Sequence, residues 1–334
     1  MNGRTGGKIE TLLRRRTASG IDAVMCAVIN GIQWRMGHHV CTPQELDLYF
    51  SACEPISRDQ FYQVQRMPDA ERVGDYLEWR SPVQTEFPEN QTARARIFLS
   101  EKGLRAPTVI LLHALMSAND QGYRRIAARL NRRGWNAALI HLPYHYSRVP
   151  RGYSNGALAL TSNLPQNAET LRQAVTEVRQ LMEYFRSNGC PDFGMIGTSY
   201  GGWVGALVSF LEREFRFVML LQPIADIEHA IWESPASSMI RKALVTAGIE
   251  KGVTRRHAHL TSPLDGRPAC EGKRVLIIGG TYDTITPPAV LQRLAGVWPD
   301  SEFTLVEQGH FGYAAMREAL RRIDLLLSLP GSGG

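Results

Sequence analysis

Six short apolar runs separated by helical patterns constrain this chain more than any other feature. They are Thr108–Leu112, Ala137–Ile140, Phe193–Ile196, Phe217–Leu221, Val275–Ile278 and Phe303–Val306. Each is apolar at nearly every position rather than at alternate ones, as a strand buried on both faces requires. Two covered faces need helices on both sides, and the intervening stretches supply them. In Pro165–Asn188 the positions Leu171, Val175, Val178, Met182 and Phe185 line one helical face, and Gly189 stands where a C-terminal cap belongs. Arg124–Arg133, Val290–Val297 and Tyr313–Leu327 read as further helices. Strand alternating with helix predicts an α/β fold with a mainly parallel sheet.

Other parts of the chain read differently. Tyr76–Val83 and Ala93–Leu99 form an expected strand pair, joined by a turn holding Pro88, Glu89 and Asn90. Upstream, Ile9–Val40 and Thr42–Val64 are helical or irregular. Thr42-Pro43-Gln44-Glu45 has the form of a helix start, with Thr42 as N-cap, Pro43 first and Glu45 closing a capping box. The expectation is a mostly helical N-terminal extension over residues 1–74 and an α/β domain over 75–330. Pro143–Leu164 and Pro223–Cys270 are too long to be plain connections. Loops of that length carry helices of their own and cover sites, so about 223–270 is expected to be a lid or cap insertion.

Composition narrows the partners. Of 334 residues, 44% are hydrophobic and 21% charged, which suits a packed globular protein rather than long disorder. The net charge of +6 comes from 38 basic side chains, 33 of them Arg. Arg14–Arg16 is a basic run, but no basic stretch is interleaved with stacking aromatics, so no nucleic acid is expected as partner. Cys26, Cys41, Cys53, Cys190 and Cys270 are scattered without a C-x-x-C, which argues against a disulfide scaffold and a cysteine metal site. No metal and no cofactor are expected. Ile21–Ile32 is shorter than the ~20 residues of a membrane span and holds Asp22 and Asn30. It imitates a signal peptide, but no small-residue cleavage site follows. A cytoplasmic location is expected, with secretion as the alternative. Nothing in the sequence fixes an oligomeric state.

The chemistry rests on serine. Gly197-Thr198-Ser199-Tyr200-Gly201 is a G-x-S-x-G, and Gly152-Tyr153-Ser154-Asn155-Gly156 is a second copy, so the pattern alone does not choose. Context does. An apolar strand precedes Ser199 and a helical pattern, Trp203–Val208, follows it, whereas Ser154 has no buried strand before it. Ser199 is therefore the expected nucleophile and Ser154 a loop residue near the pocket. A serine hydroxyl needs a base to take its proton and a carboxylate to orient that base. Asp283 lies just beyond Val275–Ile278 and His310 just beyond Phe303–Val306, at the strand ends where such sites collect. Asp226 is the alternative acid. The backbone N–H groups of Tyr200 and Leu115 are the expected oxyanion donors, with His113 as a structural residue fixing its loop. Met116, Tyr144, His145, Arg148 and Ser154 are candidates for substrate binding. Tyr146 and Arg151, in the same loop, are further residues able to meet an anionic or sugar-like group.

From about residue 75 to 328 the chain resembles the α/β-hydrolase superfamily. The likeness rests on the G-x-S-x-G, on Asp283 between Gly280 and Pro287, and on Gly309-His310. Leu142–Arg148 and the serine turn are similar to the α/β-hydrolase-domain-containing protein 18 type. The family usually has His-Gly at the oxyanion strand end, where this chain has His113-Ala114. The resemblance implies an α/β-hydrolase fold and hydrolysis of a small-molecule or lipid-like ester or thioester through an acyl-enzyme. A peptidase or acyltransferase would use the same triad, and a non-catalytic binding member of the fold is the alternative of another class.

Overall fold

The computed structural model describes residues 3–37, 39–64 and 70–327, with side chains from Leu13 onward. Residues 328–330, the end of the expected α/β domain, lie outside the described residues.

Nine strands form one sheet: β1 (Glu71–Val73), β2 (Tyr76–Arg80), β3 (Thr92–Phe98), β4 (Thr108–Leu112), β5 (Asn136–His141), β6 (Phe193–Thr198), β7 (Phe215–Leu221), β8 (Val275–Gly280) and β9 (Glu302–Val306). Their order is β1-β2-β3-β5-β4-β6-β7-β8-β9. β1, β2, β3 and β5 pair antiparallel, and from β5 to β9 every pairing is parallel. The six apolar runs are the six parallel strands. β4 coincides with its run, and the other five extend beyond theirs where a flanking residue, such as Asn136 or Gly280, still takes part in the ladder. The sheet begins at Glu71, in a hairpin that turns at Gly74.

Successive side chains of a strand face opposite ways, and β4 shows why both faces had to be apolar. Ile110 and Leu112 join one core with Val175, Val178, Trp203 and Leu207. Val109 and Leu111 join the other with Tyr123, Ile126, Leu130 and Ile323. Helices Leu164–Ser187 and Tyr200–Ser209 cover the first face, and Gln121–Asn131 and Ala314–Leu327 the second.

The N-terminal residues form helices α1 (Gly3–Arg35), α2 (Pro43–Cys53) and α3 (Arg58–Phe61). The capping box of α2 is formed in full: the Thr42 hydroxyl accepts the Glu45 N–H at 3.2 Å, and Glu45 accepts the Thr42 N–H at 2.8 Å. Leu46, Phe50 and Phe61 enter the first core. α1 lies along Pro235–Thr246. There Asn30 donates to the Pro235 carbonyl at 2.9 Å and accepts from the Ser238 hydroxyl and the Met239 N–H. Among the described residues, no helix is long and apolar enough to cross a membrane, and no group of three or more His, Cys, Asp or Glu is disposed to hold a metal ion.

Candidate active site

β4 and β6 are neighbours, and the chain leaves their C-terminal ends toward opposite faces of the sheet, to Gln121–Asn131 and to Tyr200–Ser209, which opens a crevice there. Leu115 follows β4 and Ser199 follows β6. Ser199 has φ +52° and ψ −113°, a strained turn between strand and helix that presents its hydroxyl. Both flanking glycines are required. A Cβ on Gly197 would lie 2.5 Å from the Gly201 carbonyl oxygen, and one on Gly201 would lie 2.4 Å from that of Leu112. The second G-x-S-x-G is different in kind. Ser154 is exposed in a loop, with Gly152 and Gly156 at positive φ.

Ser199 Oγ is 2.9 Å from His310 Nε2, and His310 Nδ1 is 2.9 Å from Asp283 Oδ2. With its Nδ1 proton given to Asp283, the imidazole leaves Nε2 as acceptor for the serine hydroxyl. Asp283 is itself held from several sides. Oδ1 accepts the N–H groups of Ile285 and Thr286 at 2.8 Å, while the Thr286 hydroxyl and the Gln222 amide donate to Oδ2. Burial pushes the Asp283 carboxyl up, but the facing His310 and these donors outweigh it and hold it below the usual carboxylate range. Burial pushes His310 down, but Asp283 and then Asp22 outweigh it and raise the imidazole above its ordinary value. Asp226 is elsewhere: it caps Ile227–Trp232 by accepting the His229 N–H and pairs with Arg293.

Tyr200 is the first residue of its helix, so its N–H has no acceptor within that helix. Leu115 lines the cavity beside Ser199. The next N–H, that of Met116, is engaged by His145 Nε2 at 3.3 Å. His145 in turn donates from Nδ1 to the Pro143 carbonyl, and His113 bridges Ala114 O and the Leu142 N–H. The two rings meet edge-on at 4.6 Å. Burial, as the largest cause, lowers His113 far below the ordinary histidine value and His145 to about 4, so both stay neutral and keep the acceptor nitrogen this arrangement needs.

The cavity over Ser199 and His310 has about 780 Å³ of space, counted out to its mouth. Its apolar walls include Ile29, Leu160, Ile224, Ile285 and Phe311, and apart from the His310 imidazole its polar members are amides and hydroxyls. From the expected cap come Ile224, Ala230, Ser234, Ala236 and Ser237. From α1 come Ile29 and Gln33, so residues of the N-terminal extension also wall the cavity.

Several expected substrate-binding residues lie outside this lining. Arg148 is 1% exposed and pairs bidentately with the fully buried Glu177 at 2.6 and 2.8 Å, its guanidinium also reaching the carbonyls of Asn90 and His141. Its charge is committed inside the protein, because a buried guanidinium requires such a partner. Tyr144 is buried against Phe87, His145 supports the Met116 loop, and Ser154 and Arg151 are on the surface. Sequence reasoning passed over Gln222, which bridges Asp283 and the Gly309 carbonyl, and Asp22. The signal for Asp22 was present as a lone carboxylate in an apolar helical stretch.

No protein-family model matches the chain. Two curated proteins of Mycobacterium tuberculosis, from strains CDC 1551 / Oshkosh and H37Rv and both described as uncharacterized, are 25% identical over 208 residues, 59% of this chain. The match spans about half of their length, 47%. Among solved structures, acetyl xylan esterase from Paenibacillus sp. R4 aligns with a TM-score of 0.57 at 11% identity, covering 89% of this chain and 98% of that one. Acetyl xylan esterase 1 from Thermoanaerobacterium sp. JW/SL YS485 aligns at 0.53 and 14%, covering 91% and 98%. A putative hydrolase from Agrobacterium vitis S4 aligns at 0.51 and 13%, covering 79% and 98%. With its parallel strands in this order and the strained serine turn at the end of β6, the chain has the α/β-hydrolase fold.

Proposed function

We propose that this protein is a serine hydrolase that cleaves an ester or thioester with an uncharged, largely apolar acyl group. The observation that carries the reading is the continuous relay Ser199–His310–Asp283, with both links at 2.9 Å. Ser199 Oγ attacks the acyl carbon as His310 Nε2 takes its proton, and the carbonyl electrons move onto oxygen, where the Leu115 and Tyr200 N–H groups receive the charge. Collapse expels the alcohol or thiol, which takes the proton from His310 and leaves an acyl-Ser199 ester. Water, deprotonated by His310, then releases the acid and restores the serine.

The lining supports the choice of acyl group. Among the described residues, no Lys, Arg, Asp or Glu lines the cavity, so a charged acyl group would lose hydration without gaining a partner. Neighbours described as acetyl xylan esterases are in keeping with a small-molecule ester. The test is a series of p-nitrophenyl esters from acetyl to decanoyl, with p-nitrophenyl hemisuccinate as the charged member. The neutral esters are expected to be cleaved, the hemisuccinate at least tenfold more slowly than butyrate, and Ser199→Ala to lose about 10⁴-fold or more in kcat. Absence of turnover of every ester, or equal turnover by Ser199→Ala, contradicts the proposal.

A further inference from the structure

We infer that Asp22, on α1, is a positioning residue for the Ser199–His310–Asp283 relay. The inference rests on the proposed hydrolase reading and concerns a residue about 50 positions before the first part of the chain that resembles a hydrolase.

The Asp22 carboxylate is 0% exposed. Its oxygens accept the backbone N–H of His310 at 2.9 and 3.0 Å and that of Phe311 at 3.3 Å. They also accept the N–H and the hydroxyl of Thr284, each at 3.2 Å. Every one of these donors lies on one of two loops: the loop after β9, which carries His310, or the loop after β8, which carries Asp283. One rigid anion therefore ties the base and its orienting acid together from behind. A buried carboxylate is costly unless its oxygens are satisfied, and charge-assisted bonds to backbone N–H groups are strong, so the clamp resists opening of either loop.

The approach is close enough to exclude a side chain between the two. A Cβ on Gly309 would lie 2.6 Å from Asp22 Oδ1, which gives Gly309 a reason beyond chain flexibility. The clamp belongs to a stripe. Asp22, Cys26, Ile29 and Gln33 recur at helical spacing along α1, the first over the loops and the last two in the cavity wall. Further out, Arg14 of α1 pairs with Glu307 at 2.8 Å, three residues before His310.

Asp22 also acts through its charge. Among the described residues, the carboxylates acting on His310 are Asp283 beyond β8 and Asp22 on α1, and the phenols of Tyr123 and Tyr313 line a cavity with it. The Cys26 thiol, one turn beyond Asp22 on α1, is pushed up to about 11, by burial first and then by Asp22 and Asp283, so it adds no charge beside these carboxylates. Both carboxylates favour the imidazolium that forms when the serine proton is transferred.

The test uses the full chain. Wild type and Ser199→Ala are first treated with a fluorophosphonate probe, then Asp22→Asn is compared with wild type for p-nitrophenyl butyrate hydrolysis and thermal unfolding. Asn keeps the size but turns an N–H group toward N–H donors. Expected is a 10- to 100-fold lower kcat, a KM within threefold, because Asp22 does not line the cavity, and an acid limb of kcat displaced to lower pH. Thr284→Val, an exposed position that keeps the Asp22 charge and loses one donor, covers the case in which Asp22→Asn fails to fold. It is expected to lower kcat three- to tenfold with KM unchanged. An unlabelled wild type overturns the hydrolase reading and this inference with it. A labelled wild type with kcat and acid limb unchanged in Asp22→Asn, or kcat unchanged in Thr284→Val where Asp22→Asn does not fold, overturns this inference alone.

Discussion

Asp22 and His310 are 288 residues apart in sequence, yet the carboxylate of one holds the backbone N–H of the other at 2.9 Å. The contact makes α1 part of the site, and the same face of that helix brings Ile29 and Gln33 into the cavity wall. Ile29→Ala removes apolar contact with a bound acyl chain at about 0.8 kcal/mol per methylene-sized group. The expected result is a 5- to 50-fold loss of kcat/KM on octanoyl esters and less than threefold on acetyl esters. Measuring kcat/KM across the chain-length series checks this, and a uniform loss would remove Ile29 from the acyl path.

The pH dependence follows from His310. On the proposed mechanism His310 must be neutral to accept the serine proton, and Asp283 and Asp22 raise its pKa in the folded protein. Activity is therefore lost as pH falls through a value above the ordinary 6.5 of histidine. Asp283→Asn removes the charge with the larger effect on His310, so its residual activity should show an acid limb displaced downward. A wild-type limb below 6.5 in a plot of log kcat/KM against pH would contradict the electrostatics described above.

Arg148 and Glu177, a buried ion pair away from the cavity lining, are expected to contribute to stability rather than catalysis. Replacing Arg148 by Met leaves Glu177 buried and uncompensated, at a cost of about 3–5 kcal/mol. The Tm is expected to fall by roughly 6–20 °C at the 2–4 °C per kcal/mol of a large domain. Replacing both, with Arg148→Met and Glu177→Leu, should recover most of that loss, while kcat/KM on neutral esters stays within threefold of wild type in each. Calorimetry of the three proteins decides, and a double variant no more stable than Arg148→Met would show that the charges themselves are needed.

How much of this was legible in the sequence depends on the distance over which each feature is determined. The parallel strands and the turn at Ser199 are local, since continuous apolar runs and two unsubstitutable glycines encode them. Asp283 and His310 could be singled out because the fold fixes where strands end, and the structure places both within reach of the Ser199 turn. Asp22 was read only as a charge that spoils a membrane span, and Asn30 likewise. Both are polar because each bonds backbone groups of a distant segment, which no local pattern reports. Arg148 misled for a related reason. A charge after a strand end looks available to a ligand until Glu177, on another helix, is seen to neutralise it.

The neutral histidines behind the Met116 loop set an acid limit. Burial, first among the causes, lowers His145 to about 4 against roughly 6.5 unfolded, and His113 falls in the same direction. Below 6.5 the unfolded chain therefore binds protons that the folded chain does not. Stability is fully present above 6.5 and declines as pH drops toward 4. Thermal melts between pH 7 and 4.5 should show the decline. His145→Asn, which keeps a donor and an acceptor but does not titrate, should show a shallower one, and an identical slope would exclude His145 as a cause.

The central claim, that Ser199 is a nucleophile activated by His310, is tested most directly by a fluorophosphonate probe followed by intact-mass and peptide analysis. One adduct per chain on the peptide bearing Ser199 is predicted, formed at least 10³-fold more slowly in His310→Ala and not at all in Ser199→Ala. An unlabelled wild type, or an adduct that persists in Ser199→Ala, would contradict it.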